Sequence, residues 1–424
     1  MQPSDRLDPQ PWMTAPETVA VMAALSAAGG EARFVGGCVR DALLGRKVRD
    51  VDIATHEPPE RVMNLLARAG LKAIPTGIKH GTVTAVTGAK HFEITTLRRD
   101  VETYGRHAKV EYTDDWQADA ARRDFTMNAL FCGADGTIYD PFGGLADLRA
   151  QRVRFVGDPE ARIREDVLRL LRFFRFHAHY GTPPPDAAAL AACRSLAPLL
   201  PTLSGERICA ETLKLLSAPQ PADVVDLMGE TGVLAHFLPE ATRNDRLRAL
   251  VAIEGSAPRD LVPRTDPLRR LAALLDGSEA SALAVATRLR FSNTERDRLI
   301  SLAGDPEPSP DFDAPARRRL IYRLGQAHYR DRALIAWAAA GGGGAMDPRV
   351  TEAWIDVLKS GAEWAAPRFP LKGRDAVKLG VPPGPAVGRL MAALEDWWIA
   401  GDFQADREAC LAELRERAAA AAGT

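Results

Sequence analysis

Residues 34–55 read Phe-Val-Gly-Gly-Cys-Val-Arg-Asp-Ala-Leu-Leu-Gly-Arg-Lys-Val-Arg-Asp-Val-Asp-Ile-Ala-Thr, and this stretch decides the expected fold. An apolar run enters Gly36-Gly37 and continues at helical period. A strand running into two glycines and then a helix lets backbone N–H groups approach a phosphate with no Cβ in the way. Arg40 falls one turn into that helix, within reach of the same phosphate. The next strand places Asp50 and Asp52 on one face, because side chains alternate with period two. Two carboxylates side by side at a strand end are costly unless a cation sits between them, and Mg²⁺ suits hard oxygen ligands beside phosphates. A Gly-Gly turn alone is only a turn, and an Asp-x-Asp alone is a solvated strand end. Their spacing is what carries the reading.

Outward from this stretch, residues 30 to 156 mix short β-type runs with glycine and aspartate turns. Arg33–Val35, Val51–Ile53, Thr82–Val86, His91–Thr95 and Val153–Val156 are expected strands, and Pro59–Ala69 an expected helix. Beyond Asp158 the chain becomes rich in Ala, Leu and Arg at helical period, with breaks at Gly181–Pro185, Gly304–Pro315 and Gly341–Gly344. The expected class is α+β: a mixed α/β head followed by an all-α remainder. Expected divisions are a helical extension (1–29), the head (30–156), and helical neck (157–220), body (221–304) and tail (305–424). The run Arg415–Ala422 reads as a fraying helix end.

The chain's 424 residues exceed one ordinary core. No apolar window is long enough to span a bilayer, and the N-terminus lacks the pattern of a signal peptide. Cys38, Cys132, Cys193, Cys209 and Cys410 are scattered without a CxxC pair, as expected of reduced thiols in the cytoplasm and not of a zinc or disulfide framework. The formal net charge of −1 neither supports nor excludes RNA, because local stripes set the field that a phosphate backbone meets. Two such stripes are Arg162 to Arg175 and Arg317 to Arg323.

A second constellation is Arg122-Arg123-Asp124-Phe125-Thr126-Met127-Asn128-Ala129, followed by Tyr139-Asp140-Pro141-Phe142-Gly143-Gly144 and Asp147-Leu148. Its bland reading is a charged helix start capped by Asp124. A third is Arg164-Glu165-Asp166-Val-Leu-Arg169-Leu-Leu-Arg172-Phe173. On one continuous helix Glu165, Asp166, Arg169 and Arg172 share an arc, opposite Val167, Leu170, Leu171 and Phe174. That helix is either merely amphipathic, with an i,i+3 Asp166–Arg169 pair, or a reader of bases. A carboxylate accepts from the exocyclic amine of C or A, and a guanidinium donates to ring acceptors, whereas G and U leave both groups mismatched.

Together these blocks resemble the class II tRNA nucleotidyltransferases and bacterial poly(A) polymerases of the polymerase-β-type superfamily. The resemblance covers five ordered blocks over residues 30 to 215, including Ser204-Gly-Glu206-Arg207 with Glu211, whose counterpart buttresses the base-reading helix. It implies a polymerase-β-like head with Asp50, Asp52 and, on a later strand, Glu93 as catalytic carboxylates, the first two holding Mg²⁺. It further implies nucleotide binding by Gly36, Gly37, Arg40, Arg123, Asp124, Asn128, Asp166, Arg169 and Arg172, with Asp124 and Asn128 at the ribose. The segment Gly77-Ile-Lys-His80-Gly-Thr-Val83 resembles the GxxHGTV form of CCA-adding members and lacks the basic patch of poly(A) polymerases. The polar stretch Arg98 to Asp115 matches the flexible loop that full CCA addition needs. The implied partners are therefore tRNA, CTP and ATP, with poly(A) addition or a non-catalytic RNA-binding role as the alternatives. A fainter match lies in Gly373–Gly380 and Pro383–Gly388, before a Trp397-Trp398 helix expected to pack in a core. No His precedes Asp276, so the phosphohydrolase domain of some relatives is not expected.

Overall fold

The computed structural model describes the chain apart from residues 28, 105–106, 264, 305, 342–346 and 423–424, and describes only the backbone of 100–104, 107–110 and 421–422. The described residues form two compact units, Met1–Pro239 and Glu240–Thr424.

The first unit is built on ten strands: β1 (Asp5–Arg6), β2 (Ala32–Val35), β3 (Val51–Thr55), β4 (Lys72–Gly77), β5 (Thr82–Thr87), β6 (Lys90–Thr96), β7 (Arg98–Tyr104), β8 (His107–Tyr112), β9 (Phe131–Cys132) and β10 (Thr137–Tyr139). Eight of them make one mixed sheet in the order β1-β10-β9-β2-β3-β6-β5-β4, and β7 and β8 make a separate hairpin. Neighbouring strands in the large sheet are antiparallel except β3–β6, which runs parallel with Asp52 opposite Glu93. Parallel pairing requires a long crossover, and the helix at Pro59–Arg68 lies within it. That helix starts on a proline at its first position, carries Glu60 in its first turn and ends with Arg68, agreeing with the helix dipole at both ends. The sheet's central strands are nearly all buried, β2 over its whole length.

The helices of this unit are α1 (Pro11–Thr14), α2 (Pro16–Ser26), α3 (Gly37–Leu43), α4 (Pro59–Arg68), α5 (Trp116–Ala121), α6 (Gly144–Arg149), α7 (Pro159–Glu165), α8 (Leu168–Tyr180), α9 (Ala187–Leu196), α10 (Gly205–Leu216) and α11 (Pro221–Glu230). The N-terminal segment supplies β1 to the sheet as well as two helices. Val153–Val156 is not a strand: only Phe155 bridges, to Phe125, and the buried apolar run serves packing instead. The backbone of the polar stretch after Arg98 pairs as the β7–β8 hairpin, in keeping with its β-branched and aromatic residues Val101, Thr103, Tyr104, Val110 and Tyr112. The side chains of 100–110, and residues 105–106 altogether, lie outside the described residues.

The second unit is helical. It runs from Asn244–Ser256 through a long helix kinked at Gly325, Ala314–Ala340, to Arg407–Ala422. At its centre Arg269 bonds Glu254 (2.6 Å) and Asp331 (2.9 Å), and Arg298 bonds Asp331 (2.6 Å), so ion pairs tie residues on either side of the Gly304–Pro315 break. Trp398 packs among Tyr322, Phe369 and Phe403, with its indole N–H donated to Ala405 O at 2.9 Å. Arg317, Arg318 and Arg323 of the second basic stripe pair with Asp356, Asp402 and Asp396. The glycine break at Gly341–Gly344 falls on 342–344, outside the described residues.

Candidate active site

Between β2, β3 and the helices α3, α8 and α10 lies a cavity of about 770 Å³. Its lining includes Gly36, Gly37, Arg40, Asp50, Asp52, Arg123, Asp124, Asn128, Asp166, Arg169 and Arg172. Eleven of the twelve expected residues therefore meet at one place. The twelfth, Glu93, is exposed on β6 beside Asp52 and does not line the cavity. Seven cationic side chains against four carboxylates leave the lining with an excess of three positive charges, which suits a polyanion.

Gly36 has φ of 72° and ψ of −124°, a conformation that a residue with a Cβ adopts only under strain. It is the turn that carries β2 into α3. Asp50 stands just ahead of β3 and Asp52 within it, both reaching the cavity. Burial, then the neighbouring Glu93 carboxylate, push the Asp52 carboxyl up to about 6; Arg123 opposes this, and Asp50 adds to it. Two carboxylates with Glu93 beside them, countered only in part by Arg123, are the observation that fits a divalent cation at Asp50 and Asp52. Among the described residues no group of three or more His, Cys, Asp and Glu side chains is already gathered as a metal cage, so further ligands have to come from substrate or water.

The 122–129 motif forms a buried polar floor. Asp124 accepts from its neighbour Phe125 N (2.8 Å), from Asn128 Nδ2 (3.0 Å) and from Arg172 Nε (2.8 Å). Burial pushes its carboxyl up, but the Arg172 guanidinium and these hydrogen bonds outweigh burial and hold it at about 2. Arg40 is buried and already engaged, with Asn128 Oδ1 (2.6 Å) and both oxygens of Asp41 (2.9 and 3.0 Å). The loop below is held by Thr126 Oγ1 to Asp147 (2.6 Å), and by Gly144, where a Cβ would lie 2.2 Å from Thr126 O. Only glycine permits that approach.

The segment from Arg164 to Phe173 differs from the expected continuous helix. α7 ends at Glu165, and Asp166 has φ of −149°, outside the helical region. Its carboxylate accepts from Leu168 N (3.2 Å) at the start of α8, the capping habit that takes aspartate out of helix interiors. The Asp166–Arg169 pair is replaced by two others. Asp166 Oδ2 accepts from Arg207 (2.7 Å), and Arg169 pairs with Glu165 (2.5 Å) while donating to the carbonyls of Arg162 and Arg122. The 204–211 block does lie against this segment, since Glu211 also pairs with Arg175 (2.5 Å).

Several cavity residues were not expected. Leu168, Arg175, Phe176 and Lys214 also line it, beside Arg207 of the 204–211 block, and Asp119 is buried behind it, holding Arg122 (2.8 Å) and Arg123 (2.9 Å). The i,i+4 spacing of Asp119 and Arg123 was visible in the sequence; the convergence of Lys214 was not.

Comparison with known proteins places the chain. Residues 32–154 match the family model described as the poly A polymerase head domain, and 185–244 the one described as "Probable RNA and SrmB- binding site of polymerase A". The head is thus of the nucleotidyltransferase class. Over most of its length the chain is 34% identical to the mitochondrial CCA tRNA nucleotidyltransferase 1 of Danio rerio, covering 91% of this chain and 87% of the relative. It is 32% identical to the CCA-adding enzyme of Geobacillus stearothermophilus, covering 95% and 96%. The crystal structure of the Bacillus stearothermophilus CCA-adding enzyme in complex with CTP superposes with a TM-score of 0.77 at 30% identity, covering 96% of this chain and 98% of that one. The chain belongs to the CCA tRNA nucleotidyltransferase family.

Proposed function

We propose that this protein adds C, C and A to the 3′ end of tRNA from CTP and ATP without a nucleic-acid template. The observation that carries the proposal is the single cavity in which the Asp50/Asp52 pair, the 122–129 floor and Asp166 with Arg169 all meet. The CTP-bound relative and the full-length similarity to CCA-adding enzymes support it. The alternative of poly(A) addition shares the head and differs in its products, long runs of A on any RNA in place of C, C and A on tRNA.

In the proposed reaction the RNA 3′-oxygen attacks the α-phosphorus of the bound nucleotide, a phosphodiester forms, and pyrophosphate leaves; no covalent enzyme intermediate is needed. Asp50 and Asp52 are the residues that would hold divalent cations, which we take to be Mg²⁺. When bound, such cations supply Lewis acidity toward the 3′-hydroxyl and the triphosphate. Gly36 and Gly37 let backbone approach the triphosphate, with Arg40 and Arg123 as its cationic neighbours. Asp124 and Asn128 face the ribose, and Arg172 fixes Asp124. Asp166 and Arg169 read the base edge. Each Asp166 oxygen keeps a lone pair beyond its bonds to Arg207 and Leu168 N, so the carboxylate can accept from an exocyclic amine while held in place. The helical segments 157–220, 221–304 and 305–424 serve as neck, body and RNA-binding tail, the duplex being recognised by its shape and backbone. No helix among the described residues is long and apolar enough to cross a membrane, and we place the reaction in the cytoplasm.

Equilibrium dialysis of the four nucleoside triphosphates tests the base-reading assignment. Wild-type protein should retain CTP and ATP over UTP and GTP, and Asp166→Ala should lose that preference while still binding nucleotide. Retained preference in the variant would refute the assignment.

A further inference from the structure

Tyr180 is the last residue of α8 and does not line the cavity, yet a continuous line of hydrogen bonds leads from it into the cavity floor. Its hydroxyl donates to Asp41 Oδ1 at 3.1 Å. Asp41 takes two N–H groups of Arg40, and Arg40 Nη1 donates to Asn128 Oδ1 at 2.6 Å. Asn128 Nδ2 donates to Asp124 Oδ1 at 3.0 Å, and Asp124 Oδ2 accepts from Arg172 Nε at 2.8 Å. Arg172 and Tyr180 both belong to α8, about 12 Å apart along its axis. The line therefore returns to the helix from which it began and forms a closed ring through three separate sequence motifs.

The ring has a direction that leaves little freedom. Arg40 can only donate and ionised Asp124 can only accept, so Asn128 between them has one allowed amide orientation. Arg40 has its own position set by Asp41, and Asp41 by the hydroxyl of Tyr180. The Tyr180 ring also carries two guanidinium groups, those of Arg40 (4.2 Å) and Arg46 (4.5 Å), and Arg46 fastens the same end of α8 by donating to His179 O at 2.8 Å. Phe176, about one turn earlier, lies beneath Arg40 and Arg175.

We infer that Tyr180 is a positioning residue for the nucleotide, acting through Asp41 and Arg40 to fix Asn128 and Asp124 at the ribose. This rests on the nucleotide reading of the cavity given above. Asp166 and Arg169 lie outside the ring, so the effect is blind to the base: CTP and ATP feel it equally.

The test is binding and turnover in Tyr180→Phe, which removes only the hydroxyl, and Tyr180→Leu, which also removes the ring. Dissociation constants for CTP and ATP come from equilibrium dialysis. KM and kcat come from extension of tRNA ending at the discriminator base (CTP) or at CC (ATP), with thermal unfolding run alongside. The loss of one hydrogen bond should raise Kd and KM for both nucleotides by the same factor, roughly three- to tenfold. In Tyr180→Phe, kcat should stay within twofold and the unfolding temperature unchanged, and Tyr180→Leu should show a larger rise. Unchanged Kd and KM in Tyr180→Phe, a rise for one nucleotide only, or a fall in kcat that follows thermal stability at constant KM overturns the inference. Tyr180→Phe decides alone if Tyr180→Leu does not fold. A wild type that binds CTP and ATP but incorporates neither defeats the proposed function and leaves Kd to judge Tyr180. A wild type that binds neither defeats both.

Discussion

Replacing Asp124 by Asn removes the charge on which the cavity floor is organised, and the structure sets the size of the effect. The Asp124 carboxyl is held at about 2, against 3.8 for an ordinary aspartate. At about 1.4 kcal/mol per unit, its charged form contributes about 2–3 kcal/mol at neutral pH. Losing one partner of a fully buried pair costs about 3–5 kcal/mol. The Arg172 side chain is 30% exposed and can regain water, so the lower figure applies. Because the folded value lies below the unfolded one, the contribution is complete above pH 4 and is lost as pH falls toward 2; at pH 3 roughly half remains. The assay is urea unfolding of wild type, Asp124→Asn, Arg172→Met and the double variant, followed by tryptophan fluorescence, since Trp116 packs in the core of the same unit. At pH 7 the double variant should be more stable than the sum of the single losses by about 1.5–3 kcal/mol. The deficit of Asp124→Asn should shrink by about 1 kcal/mol between pH 7 and pH 3. Additive losses, or a deficit independent of pH, would refute the argument that Arg172 is what lowers Asp124.

Three further outcomes are expected. Asp50→Asn or Asp52→Asn should abolish nucleotide incorporation while leaving tRNA affinity, measured by filter binding, within about threefold; normal turnover by either variant would remove the metal assignment. Gly144→Ala places a Cβ against Thr126 O and should destabilise the first unit by about 1–3 kcal/mol in urea, with weaker CTP binding as the 122–129 loop shifts. Arg269→Met leaves Glu254 and Asp331 short of a partner in the second unit and should cost that unit about 3–5 kcal/mol, with no change in CTP affinity. A coincident loss of CTP binding would show that the two units do not unfold independently.

What the sequence made legible was whatever local rules control. Short apolar β-type runs marked β2, β3, β5 and β6, and the short-range spacing of the glycines and aspartates located one wall of the cavity. Val153–Val156 misled because a buried apolar run looks the same whether it pairs as a strand or only packs, and here a single bridge forms. The break at Asp166 was illegible for a related reason. Helical periodicity runs straight through Glu165 to Arg172, and what interrupts it is a side-chain cap and a pull from Arg207, 41 residues away. The same limit hid the Tyr180–Asp41 bond, which spans 139 residues. The roles of single site residues were carried by family resemblance. Geometry adds which of their hydrogen bonds are already made before substrate arrives.

CCA addition is tested most directly by extension of tRNA transcripts ending at the discriminator base, at C or at CC, each with one labelled nucleoside triphosphate and Mg²⁺. The expected products are two additions of C, one of A, and then a stop, on tRNA and not on unrelated RNA. Long runs of A on any RNA, or no incorporation at all, would contradict it.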